Sequence, residues 1–191
     1  MKLVFATNNP NKIAEIKDLL PKEIQILSLA AINCNEQLPE TQNTLGENAN
    51  QKAEFVFTNY GYNCFADDTG LEVEALNNDP GVYSARYAGE LYSSEDNMQK
   101  VLQKLEGENN RKAKFRTVIA LIIDGKTLLF EGKCNGEITK EKTGEKGFGY
   151  DPIFRPLDHK KTFAQMSKQE KGAISQRGIA TRKLVEFLQR V

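Results

Sequence analysis

The chain has 191 residues, and its 39% hydrophobic and 27% charged content is ordinary for one folded globular domain. Its 26 basic and 26 acidic side chains give a net charge of zero, which argues against nucleic acid or an anionic membrane surface as a partner. No apolar run is long enough for a signal peptide or a membrane span, so we expect a cytoplasmic protein.

Histidine and cysteine usage excludes several kinds of site. The three cysteines show no Cys-x-x-Cys spacing, which argues against a zinc site or a disulfide framework. His159 is the single histidine and lies in a polar segment without other candidate ligands, so we predict a solvated bystander. Any bound metal should therefore be a hard cation held by carboxylates, and Mg²⁺ is the first expectation.

The first predicted elements are a strand at residues 3–6 and a helix marked by Ile13, Ile16 and Leu20. A polar segment joins them, where free backbone N–H groups at a helix start and the charge of Lys12 would attract a phosphate. The same residues would equally turn the chain and cap the helix, and they lack the glycines of a Walker A loop. The segment comprises Thr7, Asn8, Asn9, Pro10, Asn11 and Lys12.

A second helix is predicted from about Leu45 to Asn59, with Gly61 as its stop, and it leads into the acidic pair Asp67 and Asp68. A short apolar run precedes the pair, which indicates the end of a buried strand, with an Asp-rich turn as the alternative. Successive side chains of a strand point to opposite faces, so the two acids would not chelate one ion side by side. One of them would then be free for chemistry.

The later elements predict a mixed sheet in a single α/β domain covering residues 1–191. We expect a half-buried strand at 71–75, a turn at 77–81, and either a strand or a pocket rim at 82–87. Further on we expect a helix begun by Ser93 and Asp96 and carrying Met98, Val101, Leu102 and Leu105, a strand at 115–123, a hairpin turn at Asp124-Gly125, a return strand at 126–130, and a last helix whose apolar face holds Ala180, Leu184, Phe187, Leu188 and Val191.

Three more polar stretches carry candidate chemistry. Glu40 lies in a loop, where a solvated surface acid is the alternative to a site residue. Glycines surround Phe148, so its ring could stack on a base, although an irregular hairpin has the same composition. Lys171, Gln176 and Arg177 stand before the last helix, in a position to hold an anion. Carboxylates beside phosphate-binding loops, without a usable imidazole, fit metal-assisted phosphoryl or nucleotidyl transfer on a nucleotide.

Seven motifs occur in the same order as in the inosine triphosphate pyrophosphatase family, which the chain resembles over nearly its whole length. They are residues 7–12 (TNNPNK), 40–41 (ET), 47–49 (ENA), 66–70 (ADDTG), 80–87 (PGVYSARY), 147–152 (GFGYDP) and 175–178 (SQRG). The resemblance implies an elongated mixed β-sheet flanked by helices, two lobes with the active-site cleft between them, a Mg²⁺ cofactor and a homodimer. It also implies hydrolysis of non-canonical purine nucleoside triphosphates (ITP, dITP and XTP) to the monophosphate and pyrophosphate.

The resemblance assigns roles to individual residues. Asp68 would be the general base and, together with Glu40, a metal ligand, while Asp67 would either support the loop or hold metal through a water. The triphosphate would be contacted by residues 7–12 and Thr69, the base and sugar by Phe148, Gly149, Tyr150 and Asp151, and the base and phosphates by Lys171, Gln176 and Arg177.

Two positions depart from the family pattern, since Gln176 stands where many members carry His and Thr69 where many carry Ser. A glutamine keeps hydrogen-bonding groups but cannot become positively charged, and a threonine keeps the hydroxyl. These changes bear on base preference rather than on the reaction, in which water attacks the α-phosphorus. Two other functions stay open: a metal-dependent phosphatase that removes the terminal phosphate, and a nucleotide-binding module without catalysis.

Overall fold

The computed structural model describes residues 1–190 and contains the mixed β-sheet that the sequence predicts. Its strands are β1 Lys2–Phe5, β2 Gln25–Leu27, β3 Cys64–Val73, β4 Lys112–Ile123, β5 Lys126–Ile138 and β6 Phe154–Pro156. They lie in the order β2-β1-β3-β4-β5-β6, where β1 pairs in parallel with β2 and with β3, and β5 pairs antiparallel with β6. Parallel and antiparallel pairs within one sheet fit an α/β class.

Helices flank the strands along the chain. The α-helices of the described residues are α1 Pro10–Lys17, α2 Leu45–Tyr60, α3 Ser94–Lys104, α4 Lys168–Ile174 and α5 Gln176–Leu188. Short 3₁₀ helices occupy Ala30–Ile32, Glu74–Leu76, Gly81–Arg86, Asp151–Ile153 and Phe163–Gln165. Among residues 1–190, no helix combines the length and the apolar character needed to cross a bilayer.

The contacts divide the chain into two compact units, of which the first contains residues 1–68 and 117–132 and the chain from residue 177 onward. In this unit α2 packs on one face of the sheet, while α1 and α5 pack on the other. Alternate strand residues divide accordingly, since Ala66 faces α2 whereas Phe5 and Phe65 face α1 and α5. The rings of Phe5 and Phe65 stack with centroids 4.5 Å apart.

The second unit contains residues 69–116 and 133–176 and has its own apolar core. Residues of α3 pack there against the last part of β3 and against β4, β5 and β6. Three rings in this core, Phe115, Phe154 and Phe163, have centroids 4.7 to 6.0 Å apart. Each unit is therefore supported by buried apolar contacts of its own.

Several predicted boundaries are confirmed. The helix expected at 45–59 is α2, and Gly61 ends it in the left-handed conformation with a φ of 72°. Ser93 caps α3 by accepting the N–H of Asp96. The predicted hairpin turn joins β4 to β5, and Asp124 and Gly125 both have the positive φ that such a turn requires.

Two strand predictions are wrong at their C-terminal sides. The strand expected at 71–75 is the end of β3, which stops at Val73 because Asn77 and Asn78 turn the chain with left-handed backbones. At 82–87, where a strand or a pocket rim was expected, the strand does not form, since Gly81–Arg86 is a 3₁₀ helix. The Ser84 hydroxyl donates to the Gly81 carbonyl there, a local bond that competes with strand formation.

Two helix predictions also need correction or lie outside the described residues. Helix α1 ends at Lys17, before Leu20, because Pro21 disfavours helical backbone in the residue that precedes it. Lys171 stands before the last helix as predicted, within the short helix α4. Gln176 and Arg177 form the first turn of α5. Val191, predicted on the apolar face of that helix, lies outside the described residues.

Candidate functional site

The acidic pair lies inside β3, so the turn considered for these residues does not form. The strand alternation sends Asp67 to the face covered by α1 and α5, and Asp68 to the face covered by α2. Both carboxylates are buried, with residue exposures of 1% and 8%. Buried carboxylates need compensating cations, and each face provides them separately.

On the first face, Asp67 is held between two cations. Its Oδ1 lies 3.0 Å from Lys12 Nζ on α1, and its Oδ2 lies 3.1 Å from Arg177 Nε on α5. Burial raises the pKa of the Asp67 carboxyl, but the charges of Lys12 and Arg177 outweigh it and hold that pKa well below its usual range. Asp67 is therefore a permanently ionised anchor that orients both cations.

Arg177 is more enclosed than the sequence suggests. Its guanidinium is only 2% exposed and also forms an ion pair with Glu15 on α1. A positive charge in the first turn of a helix interacts unfavourably with the helix dipole. From the sequence, a bound anion was expected to compensate this charge. Two carboxylates of the protein, Asp67 and Glu15, lie against Arg177, and its contact with a phosphate stays a prediction.

On the second face, Asp68 faces Lys52 of α2, a residue that sequence reasoning missed. Lys52 Nζ lies 3.8 Å from Asp68 Oδ1, forms an ion pair with Glu40 and donates a hydrogen bond to the Asp67 carbonyl oxygen at 2.8 Å. Burial lowers the pKa of the Lys52 ammonium, but Asp68 and Glu40 outweigh it and raise that pKa. The signal was present, because Lys52 is a charged residue on the otherwise apolar stripe of Ala49, Ala53 and Val56.

Asp68 differs from its neighbour in its protonation chemistry. Burial raises the pKa of the Asp68 carboxyl, and Lys52 and Lys12 oppose this only in part, so that the pKa stays above its ordinary value. A carboxylate with a raised pKa is a better proton acceptor than an ordinary aspartate. The two adjacent acids are thus a fixed anion and a candidate base.

The ion pairs around Asp67 and Asp68 connect seven charged side chains, which we call the charge cluster: Lys12, Glu15, Glu40, Lys52, Asp67, Asp68 and Arg177. Three are cations and four are acids, so a divalent cation would complement the excess negative charge. Among residues 1–190, no group of three or more His, Cys, Asp or Glu side chains could hold a metal unaided. Mg²⁺ typically binds through one or two carboxylates together with substrate phosphates, and Glu40 and Asp68 fit that mode.

The segment Thr7–Lys12 forms the start of α1, and its capping function is confirmed. Asn9 Oδ1 accepts the N–H groups of Asn11 and Lys12, and Thr7 Oγ1 accepts the N–H of Asn9. Pro10 occupies the first helical turn, where it needs no hydrogen-bonded N–H. The contact of segment 7–12 with phosphate remains a prediction. Lys12 of this segment belongs to the charge cluster.

In the second unit, Lys171 of α4 brings together the residues predicted around the base. Its Nζ lies 2.6 Å from Asp151 Oδ2 and stands over the rings of Phe148 and Phe163, at 4.9 and 5.4 Å from their centroids. Asp151 Oδ2 also accepts the N–H of Phe148 at 2.9 Å. Gly147, at φ 74°, is required here because a Cβ atom would collide with the Asp151 carboxylate.

Four other predicted residues occupy different environments. Tyr150 is buried, and its hydroxyl donates to the Ser84 carbonyl at 2.6 Å, so its side chain belongs to the core. Gly149 has φ 61° and open space where a side chain would stand. Thr69 is half-buried in β3. Gln176 is 3% exposed, and its Oε1 finds no hydrogen-bond partner within residues 1–190, which leaves one acceptor for a ligand.

The structure thus gathers the predicted residues into two groups, one in each unit. The first is the charge cluster, and the second consists of Phe148, Asp151 and Lys171. His159 belongs to neither group, since it is exposed in a turn with its Nδ1 2.9 Å from the Leu157 carbonyl oxygen. Its placement agrees with the bystander role expected from sequence.

Asp67→Asn should lower the free energy of unfolding by about 3–5 kcal/mol at pH 7, because it removes the buried counter-charge of Lys12 and leaves Arg177 paired with Glu15 alone. The native pKa of Asp67 is depressed, so its stabilisation is present above the unfolded pKa of about 3.9 and is lost as the pH falls further. Urea titrations at pH 7 and below pH 4 should show the difference between the two proteins shrinking with acidification.

The matched control for this prediction is Asp158→Asn, which changes an exposed aspartate in a turn, where asparagine also tolerates the left-handed backbone. It should alter stability by no more than about 0.5 kcal/mol. Equal stability of the Asp67→Asn and unmodified proteins at pH 7 would contradict the anchoring role.

Comparisons with known proteins show which family the chain resembles in sequence and fold. The chain is 58% identical over 188 residues to the dITP/XTP pyrophosphatase of Christiangramia forsetii. The aligned region covers 98% of this chain and 99% of the relative. The solved structure of the Staphylococcus aureus Ham1 protein matches with a TM-score of 0.90 at 43% identity, covering 99% of this chain and 98% of that one. A HAM1 protein from Coxiella burnetii matches with a TM-score of 0.92 at 39% identity over the full length of both chains.

The family model agrees with these relatives and extends across both units. The model of the Ham1 family matches residues 3–187, a range that includes the charge cluster, the Phe148–Asp151 stretch and the start of α5. The protein described here therefore belongs to the Ham1 family.

Proposed function

We infer that this chain is a nucleoside triphosphate pyrophosphatase that hydrolyses dITP, XTP and ITP to the monophosphate and pyrophosphate, and so removes non-canonical purines from the nucleotide pool. The observation that carries this inference is the buried Asp68 carboxylate, which has a raised pKa and lies beside Lys52 and Glu40. Relatives named dITP/XTP pyrophosphatase that match nearly the whole chain support the same substrates.

In the proposed reaction, Asp68 acts on the attacking water. The carboxylate accepts a proton from water as the oxygen forms a bond to the α-phosphorus, and the bond from that phosphorus to the bridging oxygen of the β-phosphate breaks. Pyrophosphate leaves with the electrons of that bond. The raised pKa of Asp68 makes its carboxylate a stronger base toward the attacking water. Asp67 stays ionised and takes no part in proton transfer.

Cations of the charge cluster would bind the triphosphate. Lys12 and Lys52 both lie beside the acidic pair, and each is held by a carboxylate that fixes where its ammonium group stands. Arg177, enclosed by Asp67 and Glu15, would act mainly by keeping Asp67 and α5 in place. Preorganised charges of this kind stabilise the negative charge that develops on the leaving group.

We propose that Glu40 and Asp68 hold a Mg²⁺ ion together with phosphate oxygens of the substrate. Their carboxylates share the cation Lys52, and the four acids of the charge cluster outnumber its three cations, so the donor set suits a hard divalent ion. When bound, Mg²⁺ would neutralise charge on the phosphate oxygens.

Base recognition is proposed for the second group of residues. The half-buried Phe148 ring, with Lys171 beneath it, offers a surface for stacking any purine. Selectivity must then come from hydrogen bonds, for which the unpartnered Oε1 of Gln176 offers an acceptor and its amide group a donor. A keto group at the purine 6-position can accept where the amino group of adenine cannot.

A nucleotide panel with Mg²⁺ tests the proposed function. ITP, dITP and XTP should be good substrates, GTP poor and ATP poorer, because an unsatisfied buried group costs about 1–3 kcal/mol, or roughly tenfold to a hundredfold in kcat/KM. The released product should be pyrophosphate. Release of orthophosphate would favour a phosphatase. Thermal stabilisation of the protein by nucleotide without turnover would favour a binding module. Equal kcat/KM for ATP and ITP would favour a general nucleotide pyrophosphatase.

Asp68→Asn should lower kcat by about 10²-fold or more, the usual range for loss of a positioned base. The substitution keeps the size of the side chain, so the fold should be retained by circular dichroism. His159→Ala is the matched control and should keep near-normal kcat, since His159 contacts neither group of site residues. Full activity in a folded Asp68→Asn protein would remove Asp68 from the mechanism.

Glu40→Gln should raise the Mg²⁺ concentration required for half-maximal activity, because a neutral amide is a weaker ligand for a hard cation. A magnesium titration at saturating ITP measures this. Glu36→Gln provides the control, since Glu36 is another acid of the same unit that is bonded to Tyr60 rather than to the charge cluster. An unchanged magnesium requirement in Glu40→Gln would contradict the assignment.

The homodimer, the cytoplasmic location and the single domain remain predictions.

A further inference from the structure

The loop that carries Phe148 and Asp151 is built from residues that do not hold a conformation by themselves. We call residues 144–151 the recognition loop. Gly144, Gly147 and Gly149 all have positive φ, at 93°, 74° and 61°. Glycine at such positions relieves strain in the folded state but leaves the unfolded loop with many alternative conformations. Phe148 and Asp151 therefore need an anchor outside the loop's own backbone.

Tyr150 supplies such an anchor. It stands between Phe148 and Asp151, its ring is buried in the core of the second unit, and its hydroxyl donates to the carbonyl oxygen of Ser84 at 2.6 Å. Phe148 and Asp151 are bonded to each other, since the Asp151 N–H donates to the Phe148 carbonyl at 3.2 Å and Asp151 Oδ2 accepts the Phe148 N–H at 2.9 Å. Tyr150 precedes Asp151 in the chain, so a shift of Tyr150 would be passed to both residues.

Ser84, which accepts the hydrogen bond from Tyr150, is itself hydrogen-bonded to β3. Ser84 lies in the 3₁₀ helix Gly81–Arg86, where its hydroxyl donates to the Gly81 carbonyl at 2.6 Å and accepts the Leu71 N–H at 2.9 Å. Sequence left this segment undecided between a strand and a pocket rim. Its hydrogen bonds make it a platform that joins β3 to the recognition loop.

A buried asparagine of α3 completes the platform. Asn97 donates from Nδ2 to the carbonyl oxygens of Ser84 and Ala85, at 3.3 and 3.0 Å, and accepts the Ala88 N–H at 2.7 Å. The Ser84 carbonyl thus receives two donors, one from Tyr150 and one from Asn97. Tyr150, Ser84 and Asn97 are all buried, where hydrogen bonds gain strength from the low local dielectric.

We propose that Tyr150 is a positioning residue, which acts through Ser84 and Asn97 to hold Phe148 and Asp151 where they contact the purine base. This rests on the proposed function, and it reassigns Tyr150 from direct substrate contact to support of its two neighbours. The anchor touches the base-binding residues and not the charge cluster. Its loss should therefore weaken recognition of the base and leave binding of the phosphates unchanged.

The test compares Tyr150→Phe with Tyr60→Phe, which removes a tyrosine hydroxyl that bonds Glu36 in the other unit. Tyr150→Phe should raise the KM for ITP about fivefold, the factor expected for one ordinary hydrogen bond, with kcat within about twofold. Inhibition by inorganic triphosphate, which has no base, should be unchanged. Tyr60→Phe should change none of these values.

Asn97→Ala should produce the same base-specific rise in KM, and the double variant should resemble the larger single variant because both act through Ser84. A KM rise that multiplies in the double variant, or equal weakening for ITP and inorganic triphosphate, would overturn the proposal. Unchanged KM in a folded Tyr150→Phe protein would do the same.

Amide hydrogen exchange tests the anchor independently of the reaction. In Tyr150→Phe the amides of Phe148 and Asp151 should exchange about fivefold faster than in the unmodified chain, whereas Tyr60→Phe should leave them unchanged. Unaltered exchange would show that the loop does not depend on Tyr150. Failure of the unmodified chain to hydrolyse ITP would instead refute the proposed function, and the exchange result would still decide the anchor.

Discussion

The two-residue period of an extended strand is the constraint on which the charge cluster depends. Because Asp67 and Asp68 are neighbours in β3, their side chains leave the sheet on opposite faces and meet different helices. Asp67 meets Lys12 and Arg177, which fix its negative charge, while Asp68 meets Lys52 and keeps a raised pKa. One strand thus places a fixed anion and a carboxyl group with a raised pKa at adjacent positions.

Buried charge also explains how the elements of the first unit are tied together. A single buried carboxylate would be costly, and Asp67 and Asp68 are compensated by cations from different helices. Arg177 extends this arrangement to Glu15, which joins α1 to α5 by a second ion pair. Ion pairs of this kind need every partner in place, and for that reason the same residues that organise the site also contribute to the stability of the fold.

In the second unit, the aromatic ring of Phe148 lies on the glycine-rich recognition loop and is held by contacts from outside that loop. Lys171 fills the space between the Phe148 and Phe163 rings and is neutralised by Asp151, so cation–π contact and ion pairing hold one side of the loop. The Tyr150 hydroxyl holds the other side through Ser84. A ring that is fixed in this way loses little conformational freedom when a planar ligand stacks on it.

Elements with local signals could be predicted from the sequence: the apolar stripe and glycine stop of α2, the Ser93 cap, the Asp124-Gly125 turn, and the alternation that separates Asp67 from Asp68. Motif order also identified the family. The pairing of distant charges became visible only in the folded chain, so Lys52, Glu15 and the Tyr150–Ser84 bond went unrecognised, as did the two carboxylates that enclose Arg177. The physical reason is that hydrogen bonds and ion pairs between residues 15 and 177, or 84 and 150, depend on how distant segments pack, and no local periodicity records that.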